Sequence, residues 1–534
     1  MEEIMLTLQN VSYLHPDKSP LFQNLNFSIE ASEKVALIGN NGTGKSTLLK
    51  MMAGFLMPSV GVITKDSPPY YVPQHFGQFN ELSVAQALYV NDKIAALHEI
   101  LEGKITDANL EVLNEDWTIE ERCLEALKFW NLSNISLMQT MASLSGGEKT
   151  KVFLAGIRIH DPEIILLDEP TNYLDRLSRE HFYRYVENSK KTLVVVSHDR
   201  TLLSLLPFVY ELEKGGLKAF GGNYDFYKEQ KYNEAMALDE NLQNQKNSFR
   251  KAKKKERETL ERKQKQDARG KKNFEAMGGP KIAKKKMKDN AEKSSTRLTD
   301  AHSDKLTSIA EEIAQIRQKI SPLAKMKMDF ESSSLHTGKI LVRAQGIQFG
   351  YGGKKLWQEP MSFEIRSGER LQIQGANGSG KTTLIKIMLG EIPPIMGTID
   401  VAYVKTVYID QNYSLILNDF TVYEMAQKYN SHFLSEGEIK IRLSRFLFHS
   451  EFWDKLCGTL SGGEKMRLTL CCLAIGNQAP DLFILDEPTN NLDIQNVEIL
   501  TQAVNEYRGT VIVVSHDSTF LTDIGVDHFI KVGN

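Results

Sequence analysis

Two pairs of adjacent carboxylates end short apolar segments in this chain. Asp168 and Glu169 directly follow the aliphatic run 164–167, which lies between two prolines. Such a short apolar run predicts a buried strand of a parallel sheet rather than a helix. Open α/β sheets bind ligands at the carboxyl ends of their strands. We therefore expect these carboxylates, and the second pair Asp486 and Glu487, to lie at functional sites.

Both carboxylate pairs belong to a stretch that occurs twice. Residues 144–175 read LSGGEKTKVFLAGIRIHDPEIILLDEPTNYLD, and residues 460–493 read LSGGEKMRLTLCCLAIGNQAPDLFILDEPTNNLD. Each copy has a Gly-rich turn, a helical segment and then the apolar strand that ends in the carboxylates. Because internal repeats indicate duplicated structural units, we expect two copies of one domain.

A phosphate-binding motif precedes each copy. Residues 39–46 read GNNGTGKS and residues 375–382 read GANGSGKT, so both match G-x-x-x-x-G-K-[ST]. The first follows a strand-like segment and leads into a helical run, which is the context that such a loop requires. Its backbone N–H groups would cradle phosphates, Lys45 would add positive charge, and the hydroxyl group of Ser46 could bind Mg²⁺. The second copy argues against a chance Gly-rich turn. The residues predicted to bind nucleotide are Gly39, Asn40, Asn41, Gly42, Thr43, Gly44, Lys45, Ser46 and Thr47 in the first half, and Gly375, Ala376, Asn377, Gly378, Ser379, Gly380, Lys381, Thr382 and Thr383 in the second.

A glutamine and a histidine follow in the same order in both halves. Gln74 and Gln411 lie 29 and 30 residues after the lysine of their phosphate-binding motif. His198 and His516 each lie 30 residues after the first carboxylate, in the sequence V-V-S-H-D. A single histidine at a strand end is usually structural, but the repeated spacing favours a functional role.

Together these motifs resemble the ordered set of ABC-type ATPases: Walker A, Q-loop, LSGGE signature, Walker B with an adjacent glutamate, D-loop (Leu174-Asp175 and Leu492-Asp493) and switch histidine. The resemblance implies an α/β fold with two ABC-type P-loop ATPase domains. Each domain would have a helical subdomain that carries the signature. The first half has about 20 more residues than the second between glutamine and signature, which predicts a longer helical subdomain or a short interaction arm.

The resemblance also implies that the two domains pair head to tail within the chain, so that each ATP lies between them. One site would combine residues 39–46, Gln74, Asp168, Glu169 and His198 with Ser461, Gly462, Gly463 and Glu464. The other would combine residues 375–382, Gln411, Asp486, Glu487 and His516 with Ser145, Gly146, Gly147 and Glu148.

Phosphoryl transfer depends mainly on positioning and charge neutralisation. Glu169 and Glu487 would orient and deprotonate the attacking water, and the two histidines would contact the γ-phosphate. The residues predicted to bind or support Mg²⁺ are Ser46, Gln74, Asp168, Thr382, Gln411 and Asp486. Tyr351 is the candidate for stacking on adenine in the second half. In the first half Tyr13 and His15 are both candidates, and the sequence does not decide between them.

Charge is distributed unevenly along the chain. The net charge is −3, yet residues 246–293 contain 19 Lys and Arg against 7 Asp and Glu, which leaves −15 for the remainder. A charged helical pattern runs to about Arg269, and Gly and Pro between 270 and 280 predict a turn before a second helix that ends near residue 320. The predicted domains are 1–232, a basic helical hairpin linker 233–335, and 336–534.

This organisation, with GNYDFYKEQK at 222–231 and glutamate in LSGGE, resembles the ABC-F family. The resemblance implies a ribosome-associated ATPase whose linker reaches rRNA and tRNA near the exit and P sites. Its role would be translation regulation or antibiotic resistance by ribosomal protection, and the sequence does not decide between them. Lys271, Lys272, Lys281 and residues 284–286 flank the predicted tip.

Two other classes remain as alternatives. The first is the ATP-binding subunit of a membrane transporter with a separate permease, and the second is a DNA-repair or chromosome ATPase. No apolar run approaches the roughly 18 residues of a membrane span. We therefore expect a cytoplasmic protein that is not inserted in a membrane.

Overall fold

The computed structural model describes residues 4–213, 215–276, 303–316, 335–352, 354–476, 480–490 and 492–533. The chain forms two compact units. One comprises Met1–Tyr227 with Met326–Asn534, and the other comprises Lys228–Lys325. None of the helices within the described ranges combines the length and apolar character that a bilayer crossing requires.

The first half contains an antiparallel sheet and a mainly parallel sheet. The antiparallel sheet has the order β2-β1-β4, with β1 (Ile4–Leu14), β2 (Pro20–Glu30) and β4 (Val60–Lys65). The second sheet has the order β5-β6-β7-β3-β8-β9, with β3 (Lys34–Ile38), β5 (Tyr70–Val72), β6 (Ile164–Asp168), β7 (Thr192–Val196), β8 (Phe208–Glu213) and β9 (Gly216–Phe220). All neighbours in this sheet are parallel except β8 and β9.

The helices of the first half connect these strands. They are α1 (Lys45–Ala53), α2 (Val84–Ala87), α3 (Asn91–Leu101), α4 (Asp107–Leu113), α5 (Ile119–Phe129), α6 (Gly146–His160), α7 (Arg176–Asn188) and α8 (Arg200–Ser204). The helices α3 and α4 account for the extra residues of this half. Ile94, Leu97 and Leu113 are buried in the same core as Phe153 of α6. The additional segment is therefore part of a longer helical subdomain rather than a separate arm.

The linker begins with a single long helix, α9 (Tyr224–Ala276), and a further helix, α10, is described over residues 303–316. The predicted turn at 270–280 is wrong in its first part because α9 continues through Gly270 to Ala276. One glycine within a helix costs only about 1 kcal/mol relative to alanine, and the flanking residues are good helix formers. Residues 277–280 and the predicted contact lysines at 281 and 284–286 lie outside the described residues.

The second half repeats the plan of the first. Its antiparallel sheet has the order β13-β10-β15, its parallel sheet the order β16-β17-β18-β14-β19, and β11 pairs with β12 in a hairpin. The strands are β10 (Ile340–Gln348), β11 (Gly350–Tyr351), β12 (Lys354–Lys355), β13 (Met361–Arg366), β14 (Arg370–Gln374), β15 (Met396–Val401), β16 (Thr406–Ile409), β17 (Leu482–Asp486), β18 (Thr510–Val514) and β19 (His528–Lys531). The helices are α11 (Lys381–Met388), α12 (Val422–Lys428), α13 (Glu436–Arg445), α14 (Gly462–Ile475), α15 (Ile494–Glu506) and α16 (Ser518–Asp523).

The register of the central strands brings the carboxylates and histidines together. In the first half Asp168 pairs with Val196 at the ends of β6 and β7. In the second half Asp486 pairs with Val514 at the ends of β17 and β18. Because the strands are parallel, the residues that follow them emerge at the same edge of the sheet.

The helix α6 packs closely on β5 in the first half. A Cβ atom at Gly156 would lie 1.8 Å from the hydroxyl oxygen of Tyr70, whose hydroxyl group donates to the carbonyl oxygen of Phe153 at 3.0 Å. At the matching positions of α14 and β16 the second half has Cys472 and Val407. The first half thus combines a large strand residue with glycine, and the second half combines a smaller strand residue with a larger helix residue.

We expect Gly156→Ala to lower the free energy of unfolding by about 1–3 kcal/mol, because the added methyl group overpacks the contact with Tyr70. The midpoint of urea unfolding, followed by circular dichroism, measures this loss. Gly437→Ala in α13 is the matched control, since an added Cβ there meets nothing within 4 Å. A Gly156→Ala midpoint as high as that of the control would contradict the prediction.

Candidate active sites

The two phosphate-binding motifs form loops between a strand and a helix. Residues 39–44 connect β3 to α1, and residues 375–380 connect β14 to α11. Lys45 opens its helix and donates from Nζ to the carbonyl oxygens of Gly39 at 2.6 Å and Asn40 at 3.1 Å. Lys381 makes the same two bonds in its own loop at 2.9 and 3.1 Å. Each ammonium group therefore lies inside the curve of its loop, where it can meet phosphate oxygens.

The first residue of each loop has room only for glycine. A Cβ atom at Gly39 would lie 2.4 Å from the carbonyl oxygen of Leu212, and one at Gly375 would lie 2.4 Å from that of Val532. These approaches involve backbone atoms, which cannot move aside as a flexible side chain can. Glycine at these positions lets the loop run close beside the neighbouring strand.

The carboxylate at the end of β6 is buried and bonded to two hydroxyl groups. Ser46 donates to Oδ1 of Asp168 at 3.0 Å, and Tyr71 of β5 donates to Oδ2 at 3.1 Å. Burial raises the pKa of Asp168, although both hydrogen bonds oppose this shift. The phosphate-binding helix and the Walker B strand are thus linked through one carboxylate.

The second half has the same arrangement. Thr382 and Tyr408 donate to Oδ2 of Asp486 at 2.9 and 3.1 Å. Neither tyrosine was predicted from the sequence, although each lies three residues before the predicted glutamine. The side chain of Gln74 is half-buried and that of Gln411 is exposed, just beyond the strands that carry the tyrosines.

The glutamates that follow these carboxylates have an uncommon backbone conformation. Glu169 has φ 51° and Glu487 has φ 50°, which is the left-handed region. Their backbone N–H groups donate to the carbonyl oxygens of Val196 and Val514, both at 2.8 Å. Residues other than glycine, asparagine and aspartate rarely adopt this conformation, and where it persists it clusters at functional sites. The turn directs each glutamate side chain toward the following strand and its histidine.

Each glutamate contacts the predicted switch histidine. Nε2 of His198 lies 3.3 Å from Oε1 of Glu169, and the backbone N–H of His198 donates to Oε2 at 3.3 Å. Nε2 of His516 lies 3.3 Å from Oε1 of Glu487. Burial raises the pKa of Glu169 to about 8 and that of Glu487 to about 7. Burial also lowers the pKa of His516 to about 3 and that of His198 well below its usual value. The carboxyl pKa values near neutrality allow these groups to take up and return a proton.

The two halves meet at the second phosphate-binding loop. Asn377 donates from Nδ2 to the carbonyl oxygen of Tyr173 at 3.1 Å, and its Oδ1 lies 3.3 Å from Nε2 of His516. A Cβ atom at Gly147 of the first signature would lie 3.5 Å from Nδ2 of Asn377. The structure therefore brings the first signature beside the second phosphate-binding loop.

The reciprocal contact joins the first loop to the D-loop of the second half. The backbone N–H of Asn41 donates to Oδ2 of Asp493 at 3.2 Å. Asn496 donates from Nδ2 to Oδ1 of the same carboxylate at 2.7 Å, and a Cβ atom at Gly463 would lie 2.2 Å from Nδ2 of Asn496. The second signature thus approaches the first loop through Asp493 and Asn496.

The serine and glutamate of each signature close the start of a helix. The backbone N–H of Ser145 donates to Oε2 of Glu148 at 2.8 Å, and its side-chain oxygen accepts from the backbone N–H of Glu148 at 3.3 Å. Ser461 and Glu464 form the same capping box at 2.7 and 3.3 Å. The capping box fixes the residue at which α6 and α14 begin. The N-terminus of a helix favours anions, so each signature presents such an end.

An exposed ring precedes each phosphate-binding loop in the sequence. Tyr351 is 61% exposed, its hydroxyl oxygen lies 3.4 Å from Oγ1 of Thr383, and its ring packs edge-on to Phe349. In the first half His15 is exposed and packs edge-on to Tyr13, which lies against the core. The ring pairs have the same two-residue spacing, so His15 matches Tyr351 and Tyr13 matches Phe349.

The residues beside each lysine suit a magnesium ion. Within the described ranges, no group of three or more His, Cys, Asp and Glu side chains could hold a metal on its own. A hydroxyl group bonded to a buried carboxylate provides hard oxygen donors at both sites. Magnesium commonly binds through one or two such groups together with phosphate oxygens and water. The donor set therefore fits an ion that arrives with a nucleotide.

Comparison with known proteins gives consistent matches. A family model described as ABC transporter matches residues 22–172 and 358–490. The chain is 28% identical to YfmM of Bacillus subtilis, described as an uncharacterized ABC transporter ATP-binding protein, over 98% of this chain and 97% of that protein. It is 29% identical to ABC transporter F family member 5 of Arabidopsis thaliana, over 96% of this chain and 72% of that protein.

A solved structure shares the twin-domain fold. The chain superposes on a crystal structure of an archaeal ribosome recycling factor, aABCE1, in complex with the ribosomal stalk protein aP1. The TM-score is 0.60 at 21% identity, and the match covers 98% of this chain and 87% of that chain. At this identity the likeness concerns the fold.

The raised pKa values of Glu169 and Glu487 lead us to expect a pH-dependent difference in stability between the unmodified protein and a variant without these carboxyl groups. A glutamate carboxyl group has a pKa of about 4.3 in the unfolded chain. When folding raises this pKa, the protonated group contributes stability below about pH 4.3, and this stability is lost as the pH rises to the folded-state pKa. For Glu169 and Glu487 the loss extends to pH values of about 8 and 7. We therefore expect the double variant Glu169→Gln with Glu487→Gln to gain melting temperature relative to the unmodified protein as the pH rises.

Thermal unfolding without nucleotide at pH 5, 7 and 9 measures this difference, which we expect to grow by at least about 2 °C across the series. Glu111→Gln, on the exposed surface of α4, is the control. A melting difference that is constant with pH would show that these carboxyl groups ionise as they do in the unfolded chain.

Proposed function

The chain belongs to the ABC transporter family, whose domain it carries twice, and we propose that it hydrolyses ATP at two composite sites to act on the ribosome. ABC ATPase domains bind ATP. The observation that carries the catalytic part is the glutamate held in left-handed conformation against a histidine at the end of each Walker B strand. An F-family relative and a ribosome recycling factor with the same fold support the ribosomal part.

The glutamates act as general bases in this proposal. Glu169 and Glu487 orient the attacking water and accept its proton, and His198 and His516 contact the γ-phosphate. Lys45 and its counterpart in the second half neutralise phosphate charge, because positioning and electrostatics dominate phosphoryl transfer. Magnesium, when bound, would supply further charge neutralisation.

The other predicted residues take supporting roles. Mg²⁺ would be held by Ser46 with Asp168 and by Thr382 with Asp486, and Gln74 and Gln411 would support the same two sites. The signature residues Ser145 to Glu148 and Ser461 to Glu464 face the nucleotide of the opposite half. Adenine stacks on Tyr351 in the second half. In the first half we assign this role to His15, because its exposed ring matches Tyr351.

We expect Glu169→Gln with Glu487→Gln to lower ATP turnover by at least about 100-fold, because each substitution removes a general base. Binding of ATP should persist, since the phosphate-binding loops are unchanged. Phosphate release and equilibrium binding of labelled ATP measure the two properties, and Glu111→Gln is the control. Undiminished hydrolysis by the double variant would exclude these glutamates.

The ribosomal role rests on the linker. Residues 246–293 carry a net charge of +12 against −15 for the rest of the chain. The helix α9 extends over 53 residues, which is about 80 Å at 1.5 Å per residue. A basic helical linker that begins with a helix of this length suits rRNA or tRNA, which it would recognise by shape and phosphate charge. The protein acts in the cytoplasm, in translation regulation or in ribosomal protection from antibiotics.

We expect the affinity of the ATP-trapped Glu169→Gln/Glu487→Gln protein for 70S ribosomes to fall with a log–log salt slope of about −5, given about six phosphate contacts. Replacing Lys271, Lys272 and Lys281 with Gln should make the slope shallower by about 0.9 for each phosphate that is no longer neutralised. Co-sedimentation across a salt series measures both slopes.

Lys18→Gln with Lys104→Gln and Lys128→Gln, which replaces three exposed lysines of the first half, is the matched control for this series. Should the linker variant bind ribosomes with the same slope as the control, the linker is not the RNA contact.

A further inference from the structure

An arginine of the first half reaches the switch loop of the second half. Arg179 of α7 is 8% exposed. It donates from Nε to the carbonyl oxygen of Leu174 at 3.1 Å and from Nη1 to that of His516 at 3.4 Å. Nη1 also lies 3.8 Å from Oδ2 of Asp199. One buried guanidinium group thus contacts the D-loop of its own half and the histidine loop of the other.

The surroundings of Arg179 keep it in this position. Tyr183, one turn further along α7, donates to Oδ2 of Asp199 at 2.5 Å. Asp199 also caps the start of α8 by accepting from backbone N–H groups. Nearby, Arg200 donates to Oδ2 of Asp523 of the second half at 2.8 Å. Hydrogen bonds within the first half and one ion pair to the second half therefore hold the surroundings of Arg179 in place.

The first ATP site lacks this arrangement. Asp175 and Asp493 cap α7 and α15 in the same way, so the position of Arg179 corresponds to Val497, which is also buried. A valine side chain cannot donate a hydrogen bond to the loop of His198. The two composite sites therefore differ at a position that in the second site bonds to the loop of the switch histidine.

We propose that Arg179 is a positioning residue for the ATP site built on residues 375–382. It fixes the loop of His516 from across the interface, whereas the site built on residues 39–46 works without such a contact. This inference rests on the proposed ATPase function. It implies that turnover at the two sites depends unequally on the interface.

The physical reason lies in geometry. One guanidinium group of α7 bonds to the carbonyl oxygens of His516 and of Leu174 in the D-loop, so it couples these two loops directly.

The test uses two backgrounds in which one site keeps its glutamate. Glu169→Gln leaves the site of Glu487, and Glu487→Gln leaves the site of Glu169. We expect Arg179→Val, which introduces the residue of the other half, to lower kcat by about tenfold or more in the first background and by less than twofold in the second. Phosphate release at saturating ATP measures kcat.

A comparison of kcat with KM separates positioning from a general loss of structure. In the Glu169→Gln background, Arg179→Val should lower kcat while the KM for ATP changes by less than twofold, because the phosphate-binding loop is unchanged. A purely structural defect would change the KM as well. Arg179→Lys keeps the charge and should restore part of kcat, so it also serves as the test if the valine variant does not fold. Arg184→Gln, exposed on the same helix, is the control.

Equal losses in both backgrounds would overturn the inference, because Arg179 would then serve the interface as a whole. Unchanged kcat in the Glu169→Gln background would overturn it as well. Full turnover by the double glutamine variant is a different result: it would reject the proposed catalytic glutamates and leave the contact of Arg179 without a site to serve.

Discussion

Removal of carboxyl groups from water at the ends of parallel strands is the constraint on which both sites depend. Asp168 and Asp486 end strands that are buried along their whole length. Glu169, which follows the first strand, is buried, and the side chain of Glu487 is 14% exposed. Buried carboxyl groups are unfavourable when charged unless other groups compensate. The tyrosine and hydroxyl donors, the lysines of the loops and the histidines all meet this need, and the same groups form a phosphate-binding surface.

The duplication shows which features belong to the common scaffold. Both halves have a glycine at the start of the phosphate-binding loop that lies close to a backbone carbonyl oxygen of another segment. Both also have the capping box at the signature and the glutamate in left-handed conformation. The features that differ lie around this scaffold. The longer helical subdomain, Arg179 in place of Val497 and the histidine ring in place of Tyr351 occur in the first half. The same candidate catalytic groups thus lie in different surroundings in the two halves.

The sequence revealed the parts of the sites that depend on short segments. The loops, the carboxylates and the histidines were found because their spacing repeats and because each motif lies within a few residues of its strand. The roles of Tyr71 and Tyr408 depend on which strand lies beside Walker B, and the reach of Arg179 depends on how the halves dock. Neither is encoded in local spacing. At Gly270 the local signal was misleading, since a single glycine did not outweigh the helix-forming residues around it.

The packing of Gly156 on Tyr70 has a bearing on how the halves can diverge. The matching pair in the second half, Cys472 and Val407, distributes volume in the opposite way. Interiors tolerate exchanges that conserve volume far better than single enlargements. A strand or helix transplanted alone from one half to the other would therefore bring a mismatched partner. Exchange between the repeats therefore preserves this packing only in blocks that carry both members of the pair, which disfavours gene conversion of either segment alone.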